Sequence, residues 1–149
     1  MVPNPPSDMP RVTAHLFYDD IATATDWLIE AFGFELKLRM TNKAGVVVHT
    51  ELEVADSMFM LGWTAENEKW VSPKSNGGRS TARLYVFIDN VDEHCERARK
   101  AGAIITREPA DQFWGDRVYE AIDIEGHVWK FATHIFDVDN RNLKRPEDM

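Results

Sequence analysis

The chain has 149 residues, of which 44% are hydrophobic and 28% are charged, and its formal net charge is −8 at pH 7. A chain of this length can bury a hydrophobic core without a metal or a disulfide, and its single cysteine excludes an internal disulfide and fits a reducing, cytoplasmic location. The acidic balance argues against nucleic acid and acidic membranes as partners, and no apolar run reaches membrane-spanning length.

The chain begins with residues 1–10, which hold four prolines, and we expect this arm to be flexible. A first module is predicted over residues 11–63. Within it, Asp19 and Asp20 are suited to cap a helix at its N-terminus, and Gly33 is suited to end that helix. The predicted elements are a strand over 12–18, the helix, and strands over 34–40, 46–54 and 58–63.

A polar segment over 64–80 separates this module from a second one over 81–134. The segment holds Pro73 and a Gly-Gly pair, which is the composition of a linker. In the second module, Cys95 falls on the apolar stripe of the predicted helix and is expected in the core. The polar residues 135–149 are predicted to form a tail. The elements of the second module are a strand over 82–88, a helix over 91–101, and strands over 104–107, 117–123 and 127–133.

The two modules repeat each other along the chain. Glu51-Leu52-Glu53-Val54 aligns with Glu120-Ala121-Ile122-Asp123 at a spacing of about 69 residues, and the first strands and the helices align at the same spacing. Each module therefore has the order βαβββ. The repeat predicts an α+β fold in which the modules build a curved mixed sheet, with helices on its outer face and a concave cleft on the other.

Short motifs in both modules point to a known family. They are Leu16-Phe17-Tyr18-Asp19-Asp20, Trp114-Gly115-Asp116-Arg117 and Asp123-Ile124-Glu125-Gly126, the last with the composition of a tight turn before a final strand. Over residues 11–134 the chain resembles the vicinal oxygen chelate superfamily, which includes glyoxalases, extradiol dioxygenases and bleomycin-resistance proteins. The resemblance implies the fold expected above, but the members of that superfamily differ in function.

The resemblance also implies where a metal would bind, because metal-using members place His, Gln or Glu at four inward strand positions. In this chain these positions fall on Thr13, near Leu61, and on Arg83 and Lys130. None of these side chains suits a divalent cation, and two of them are cationic. The usual metal centre is therefore expected to be absent, and no cofactor is predicted.

A displaced metal site is the alternative. His15, His49 and Glu51 are predicted on strands, and His49 and Glu51 share a face by alternation. If His15 faces the same cavity, the three side chains could hold a divalent metal in a glyoxalase- or dioxygenase-type enzyme. Otherwise His49 and Glu51 form a hydrogen-bonded pair or orient a ligand.

Aromatic residues are numerous around the predicted cleft. Their rings offer apolar contact to planar or cationic ligands, although about half of them are expected to pack in the core or at a dimer contact. Trp70 and Trp114 lie in polar stretches and are the best candidates for ligand contact. The other aromatic residues of this group are Phe17, Phe59, Trp63, Tyr85, Tyr119 and Trp129.

Two inward cations, Arg83 and Lys130, would repel each other across an apolar cleft unless a negative charge lay between them. Glu51 or Glu120 could supply that charge in a buried ionic network. Alternatively, the two cations could hold an anionic group of a ligand. The residue pattern leaves both arrangements open.

The pattern favours metal-independent binding of a small organic molecule in an aromatic-lined cleft, similar to bleomycin-resistance proteins. A ligand sensor would have the same pattern. A homodimer is expected because open sheet edges and exposed apolar surface need cover. The candidate ligand-binding residues are Thr13, His15, Phe17, His49, Glu51, Leu61, Trp63, Trp70, Arg83, Tyr85, Trp114 and Lys130.

Overall fold

The computed structural model describes residues 1–139 and 143–147. The chain folds as two compact units, Met1–Arg79 and Ser80–Met149. Each unit holds one longer helix and four strands, which confirms the predicted α+β fold and the βαβββ order of both modules. Hydrogen bonds group the predicted strands into two four-stranded sheets, one in each unit. Within the described part of the chain, no helix has the length and hydropathy needed to cross a membrane.

The first unit builds a mixed sheet. Its strands have the spatial order β1-β4-β3-β2, in which β1 runs parallel to β4 and the other pairs are antiparallel. A parallel pair needs a crossover connection, and the helix provides it. The elements are β1 (Ala14–Tyr18), α1 (Ile21–Phe32), β2 (Glu35–Thr41), β3 (Val47–Val54) and β4 (Ser57–Trp63).

Helix α1 covers one face of this sheet. It begins after Asp20, whose carboxylate accepts a hydrogen bond from the amide of Thr23 at 3.1 Å, as expected of an N-cap. It ends at Gly33, where a φ of 75° favours glycine. On the buried side, the hydroxyls of Thr25 and Thr50 are 2.9 Å apart, which ties α1 to β3. The residues that α1 buries are Ile21, Ala24, Thr25, Leu28, Ala31 and Phe32.

The second unit repeats this arrangement with the order β5-β8-β7-β6 and a parallel β5–β8 pair. Helix α2 is capped by Asn90, which accepts a hydrogen bond from the amide of Glu93 at 3.2 Å. Cys95 is a buried free thiol on this helix, as predicted, and burial raises its pKa to about 11. The elements are β5 (Arg83–Phe87), α2 (Val91–Lys100), β6 (Ile104–Asp111), β7 (Asp116–Ile122) and β8 (Val128–His134).

The turn between β7 and β8 is organised by Asp123. One carboxylate oxygen accepts hydrogen bonds from the amides of Glu125 and His127, at 2.9 and 3.0 Å, and the other accepts one from the indole of Trp129 at 3.0 Å. Gly126 has a φ of 93°. The predicted tight turn is confirmed, and its buried carboxylate also fixes a core tryptophan.

Strand β6 is longer than predicted, since it continues from Arg107 to Asp111. Its pairing with β7 passes through two irregularities, one on each side of Arg107. Such bulges absorb extra residues, and β6 is an edge strand, where Pro109 is tolerated.

Candidate functional site

Alternate residues of the first sheet divide between two faces. Thr50 and Leu61 are fully buried on the face that α1 covers. The residues that alternate with Thr50 along β3 and with Leu61 along β4 lie on the opposite face of the sheet, here called the first open face. Met60 and Gly62 of β4 belong to this face. The strand register pairs four candidate residues with Met60 and Gly62, which places all four on this face. They are His15, Phe17, His49 and Glu51.

Three rings form a continuous stack on the first open face. The rings of Trp70 and Phe17 are parallel within 9°, with centroids 4.6 Å apart, and the imidazole of His15 stacks on the other side of Phe17 at 4.9 Å. His49 meets His15 edge-on at 5.6 Å. We call Trp70, Phe17 and His15 the aromatic stack. Its outer member is 45% exposed.

Gly62 makes room for this stack. A Cβ atom at this position would lie 2.6 Å from Nε2 of His15 and 2.7 Å from Cε1 of Phe17. Both rings therefore rest directly on the backbone of β4. A glycine inside a strand often marks such a close approach.

The segment that carries Trp70 is anchored on both sides by Asp19. One carboxylate oxygen of Asp19 accepts a hydrogen bond from the Thr64 hydroxyl at 2.6 Å, and the other accepts one from the Ser75 hydroxyl at 2.5 Å. These hydrogen bonds, with Ser75 the stronger cause, lower the pKa of Asp19 below its usual value. The segment predicted as a linker thus has short 3-10 turns at Thr64–Glu66 and Pro73–Ser75 on either side of Trp70.

His15, His49 and Glu51 do not form a metal-binding set. Nε2 of His49 is 3.1 Å from a carboxylate oxygen of Glu51, which makes the hydrogen-bonded pair that the sequence allowed. Nε2 of His15 instead lies over the backbone of Gly62. Among the described residues, no group of three or more His, Cys, Asp and Glu side chains is placed to hold a metal. Burial, and then the neighbouring His49, lower the pKa of His15.

Two candidates do not join the first open face, and a third lies just outside the strands. The expectation that Leu61 lines a cleft is wrong, because its side chain is fully buried on the helix side. By strand alternation Trp63 lies on that same side, and its indole donates a hydrogen bond to the carbonyl of Asp19 at 3.2 Å. Thr13 precedes β1 and is half-buried.

The second sheet has its own open face, opposite the buried rings of Trp129 and Phe131. The register pairs Lys130 with Tyr85 on one side and with Glu120 on the other. A cavity of about 620 Å³ lies on this unit. Its lining residues are Arg83, Arg107, Gln112, Phe113, Trp114, Val118, Tyr119, Glu120, Lys130 and Arg145.

One carboxylate in this cavity faces several cations. Glu120 lies 3.5 Å from Nη1 of Arg83 and 3.7 Å from Nε of Arg107, with only 13% of its side chain exposed. Of the arrangements that the residue pattern left open, the contact between Arg83 and Glu120 is present. Nζ of Lys130 lies 5.7 Å from the ring centre of Trp114, within cation–π range. Burial, and then repulsion by Arg83, lower the pKa of Lys130.

Trp114 is held by a chain of hydrogen bonds. Its indole donates to the Tyr85 hydroxyl at 2.8 Å, and this hydroxyl donates to Asp116 at 2.6 Å. The other oxygen of Asp116 is 2.8 Å from Nδ1 of His134. Burial and the hydrogen bond to Asp116 raise the pKa of Tyr85 to about 12. Asp116 is a buried residue at the start of β7.

Sequence reasoning missed several residues that shape these surfaces. The role of Gly62 could have been predicted from the sequence, because a glycine inside a strand is unfavourable unless packing requires it. Arg107 was predicted at the end of a shorter strand, and Arg145 in the tail. No local signal placed either of these two cations beside Arg83.

The two surfaces differ in what they can bind. The aromatic stack presents a flat apolar ring at its outer end, which suits contact with a planar ring. The cavity of the second unit combines positive charge with an indole. The one cysteine is buried and does not contribute to either surface. Hydrogen bonding, stacking and charge are the properties that the two surfaces offer a ligand.

Comparison with known proteins agrees with this architecture. Residues 9–131 match the Glyoxalase/Bleomycin resistance protein/Dioxygenase superfamily. The chain is 29% identical over 133 residues to the uncharacterised protein Mb0911c of Mycobacterium bovis, covering 87% of each chain. The structure of TioX from Micromonospora sp. ML1 has a TM-score of 0.68 and 35% identity, covering 83% of this chain and 98% of TioX.

A second solved structure shows the same fold at lower identity. TnmS3 from Streptomyces sp. CB03234, an antibiotic binding protein, has a TM-score of 0.60 and 22% identity over 80% of this chain and 91% of its own. The family match spans most of the chain, and the two βαβββ units carry the fold that such proteins share. The protein therefore belongs to the glyoxalase/bleomycin resistance protein/dioxygenase superfamily.

Proposed function

We propose that this protein binds a small organic molecule without a metal, by seating a planar ring of the ligand against the aromatic stack. The observation that carries the proposal is the parallel arrangement of Trp70 on Phe17, with Trp70 45% exposed. One face of the indole is covered by Phe17, and the ring remains accessible to a second partner. Aromatic stacking of this kind adds about 0.5–1.5 kcal/mol beyond the area buried.

The state of His15 supports an apolar ligand at this surface. Its lowered pKa keeps the imidazole neutral at physiological pH, so the stack carries no positive charge there. Asp19 holds the segment around Trp70 through Thr64 and Ser75. A surface that is ordered before binding loses less entropy when the ligand arrives. TnmS3 is described as an antibiotic binding protein, and an antibiotic is the class of ligand that we carry over. The planar ring is our own inference from the aromatic stack.

The alternative is a metal-dependent enzyme of the glyoxalase or dioxygenase type. It requires His15, His49 and Glu51 to bind one ion. The three donors do not converge, because Nε2 of His49 is hydrogen-bonded to Glu51 and the imidazole of His15 packs on Gly62. We therefore derive no reaction through a metal. A regulatory ligand sensor would use the same binding step.

Calorimetric titration against a panel of planar aromatic antibiotics tests the proposal. We expect at least one compound to bind the wild type, with an affinity unchanged by a chelator. Trp70→Ala should weaken that binding by about tenfold or more, since stacking area is lost. Val71→Ala, at the exposed neighbouring position, is the matched control and should bind as the wild type does. Binding by no compound, or equal binding by Trp70→Ala, would overturn the proposal.

We also infer a cytoplasmic homodimer. Strand β2 lies at an edge of the first sheet, and it carries three exposed apolar side chains, Leu36, Leu38 and Met40. An exposed apolar edge strand invites pairing with another chain. A second copy of the protein, related by two-fold symmetry, would cover this edge on both chains at once.

A further inference from the structure

We propose that the cavity of the second unit binds an anionic aromatic compound, with its anionic group between Arg83, Arg107 and Lys130 and its ring on Trp114. This inference rests on the proposed function in one respect, because both take the ligand to be a small organic molecule. It concerns a different surface and names a chemical class. The aromatic stack of the first unit takes no part in it.

The first argument is the charge balance of the cavity. Four cationic residues line it, and Glu120 is the one carboxylate among the lining residues. Glu120 is shared between Arg83 and Arg107 at 3.5 and 3.7 Å, distances longer than those of tight charge-assisted hydrogen bonds. Arg83, Arg107 and Lys130 alone outnumber this shared carboxylate, which leaves excess positive charge in a chain whose net charge is −8.

The second argument is the position of Lys130. It lies in β8, opposite Glu120 and Tyr85, and forms no ion pair with any residue that the structure describes. Its ammonium group is instead over the ring of Trp114 at 5.7 Å. Burial, and then repulsion by Arg83 and Arg107, lower its pKa, although Glu120 offsets part of this effect. An anion between Lys130 and Arg83 would offset the repulsion that Glu120 leaves, and this favours anion binding.

The third argument is the fixed orientation of Trp114. The hydrogen bond from its indole to Tyr85, and that from Tyr85 to Asp116, hold the edge of the ring. The neighbouring Gly115 is held in turn, because its carbonyl accepts hydrogen bonds from the amides of Ile135 and Phe136. A ring held at its edge keeps a face in the cavity that a ligand can stack on.

The size of the cavity favours an organic anion over a simple ion. A volume of about 620 Å³ falls in the range of sites for drug-sized molecules. The overall negative charge of the chain disfavours extended polyanions, whose charge would reach beyond the cavity. A compact ligand with one anionic group and one aromatic system meets both conditions.

The test compares two probes of the same shape, 2-naphthoate and its neutral amide, 2-naphthamide, by calorimetry on the full chain. We expect the wild type to bind 2-naphthoate at least about tenfold more tightly than 2-naphthamide. Arg83→Gln and Lys130→Gln should each reduce that preference to near one and leave the affinity for 2-naphthamide unchanged. Arg39→Gln, which removes an equal charge from an ion pair in the first unit, should keep the preference.

Several outcomes would overturn the inference. Equal binding of the two probes by the wild type, or no binding of 2-naphthoate, would show that the cavity does not select an anion. A lower melting temperature of Arg83→Gln and Lys130→Gln with an unchanged preference would assign these residues to a structural ionic network. Inorganic phosphate binding as tightly as 2-naphthoate would remove the role of the ring. A preference for 2-naphthoate that persists in Trp70→Ala would support the inference even if the proposed role of the aromatic stack fails.

Discussion

The indole of Trp70 and the ring of Phe17 lie parallel at 4.6 Å, although one belongs to an irregular segment and the other to β1. The contact depends on two other positions. Gly62 leaves space beneath Phe17, and Asp19 holds the segment that carries Trp70. The stack is therefore a property of the folded unit, and each of the two supports can be tested separately.

Gly62→Ala should displace the aromatic stack without unfolding the protein. The new Cβ would meet ring atoms of His15 and Phe17 at 2.6 and 2.7 Å, and both rings can rotate away. We expect a loss of about 1–3 kcal/mol in stability, an altered near-ultraviolet circular dichroism spectrum and weaker ligand binding. Gly45→Ala is the control. The φ of +85° at this position strains an alanine backbone, but a new Cβ there would meet no other atom within 4 Å. An unchanged spectrum for Gly62→Ala would contradict this account.

Asp19→Ala should release the segment around Trp70. It removes the acceptors of the Thr64 and Ser75 hydroxyls. Amide hydrogen exchange over residues 64–75 should become about tenfold faster or more, whereas exchange in the second unit should not change. Asp56→Ala, an exposed residue of the β3–β4 turn, is the control. Equal exchange rates in Asp19→Ala and the wild type would show that other contacts hold the segment.

Two histidines should titrate on opposite sides of pH 6.5. Burial and His49 lower the pKa of His15, whereas hydrogen bonds to Asp116 and then Asp137 raise that of His134. The contribution of His15 to stability is therefore complete above pH 6.5 and is lost as the pH falls through its folded pKa. That of His134 is complete below pH 6.5 and is lost as the pH rises through its own. Nuclear magnetic resonance of the imidazoles measures both values, and the reverse order would refute the assignment.

Asp123→Ala should be strongly destabilising. It leaves two amides and the buried indole N–H of Trp129 without their acceptor. Unsatisfied buried donors cost about 1–3 kcal/mol each, and the Glu125 amide and the Trp129 indole are buried, so we expect a loss of at least about 2 kcal/mol in chemical denaturation. Asp26→Ala, which breaks an exposed ion pair with Arg39, should cost less than about 1 kcal/mol. Similar losses for both variants would mean that the turn adjusts to other acceptors.

The homodimer predicts a particle of about 34 kDa, twice the 17.1 kDa chain mass, in light scattering at micromolar concentration. Leu38→Lys places a charge on the exposed edge strand β2. It should shift the particle towards the monomer while the helical signal in circular dichroism stays the same. A monomeric wild type would rule out the dimer at that concentration.

The sequence by itself determined the order of the elements and the turns. Apolar periodicity, the N-cap at Asp20 and glycine at position 33 act within a few residues, and each is visible in the printed chain. The internal repeat extended this information to the second unit. The Asp123 turn was also predictable, because its carboxylate accepts hydrogen bonds from amides only two and four residues later in the chain.

Only the tertiary structure decided which residues meet. The assignment of Leu61 to a cleft was wrong because a shift of one residue along a strand moves a side chain to the other face, and no local signal fixes that register. The stack of Trp70 on Phe17, and the cavity that Arg107 and Arg145 line together with Arg83, join segments distant in sequence. Such contacts depend on strand pairing and on the path of irregular segments, which short-range patterns do not encode.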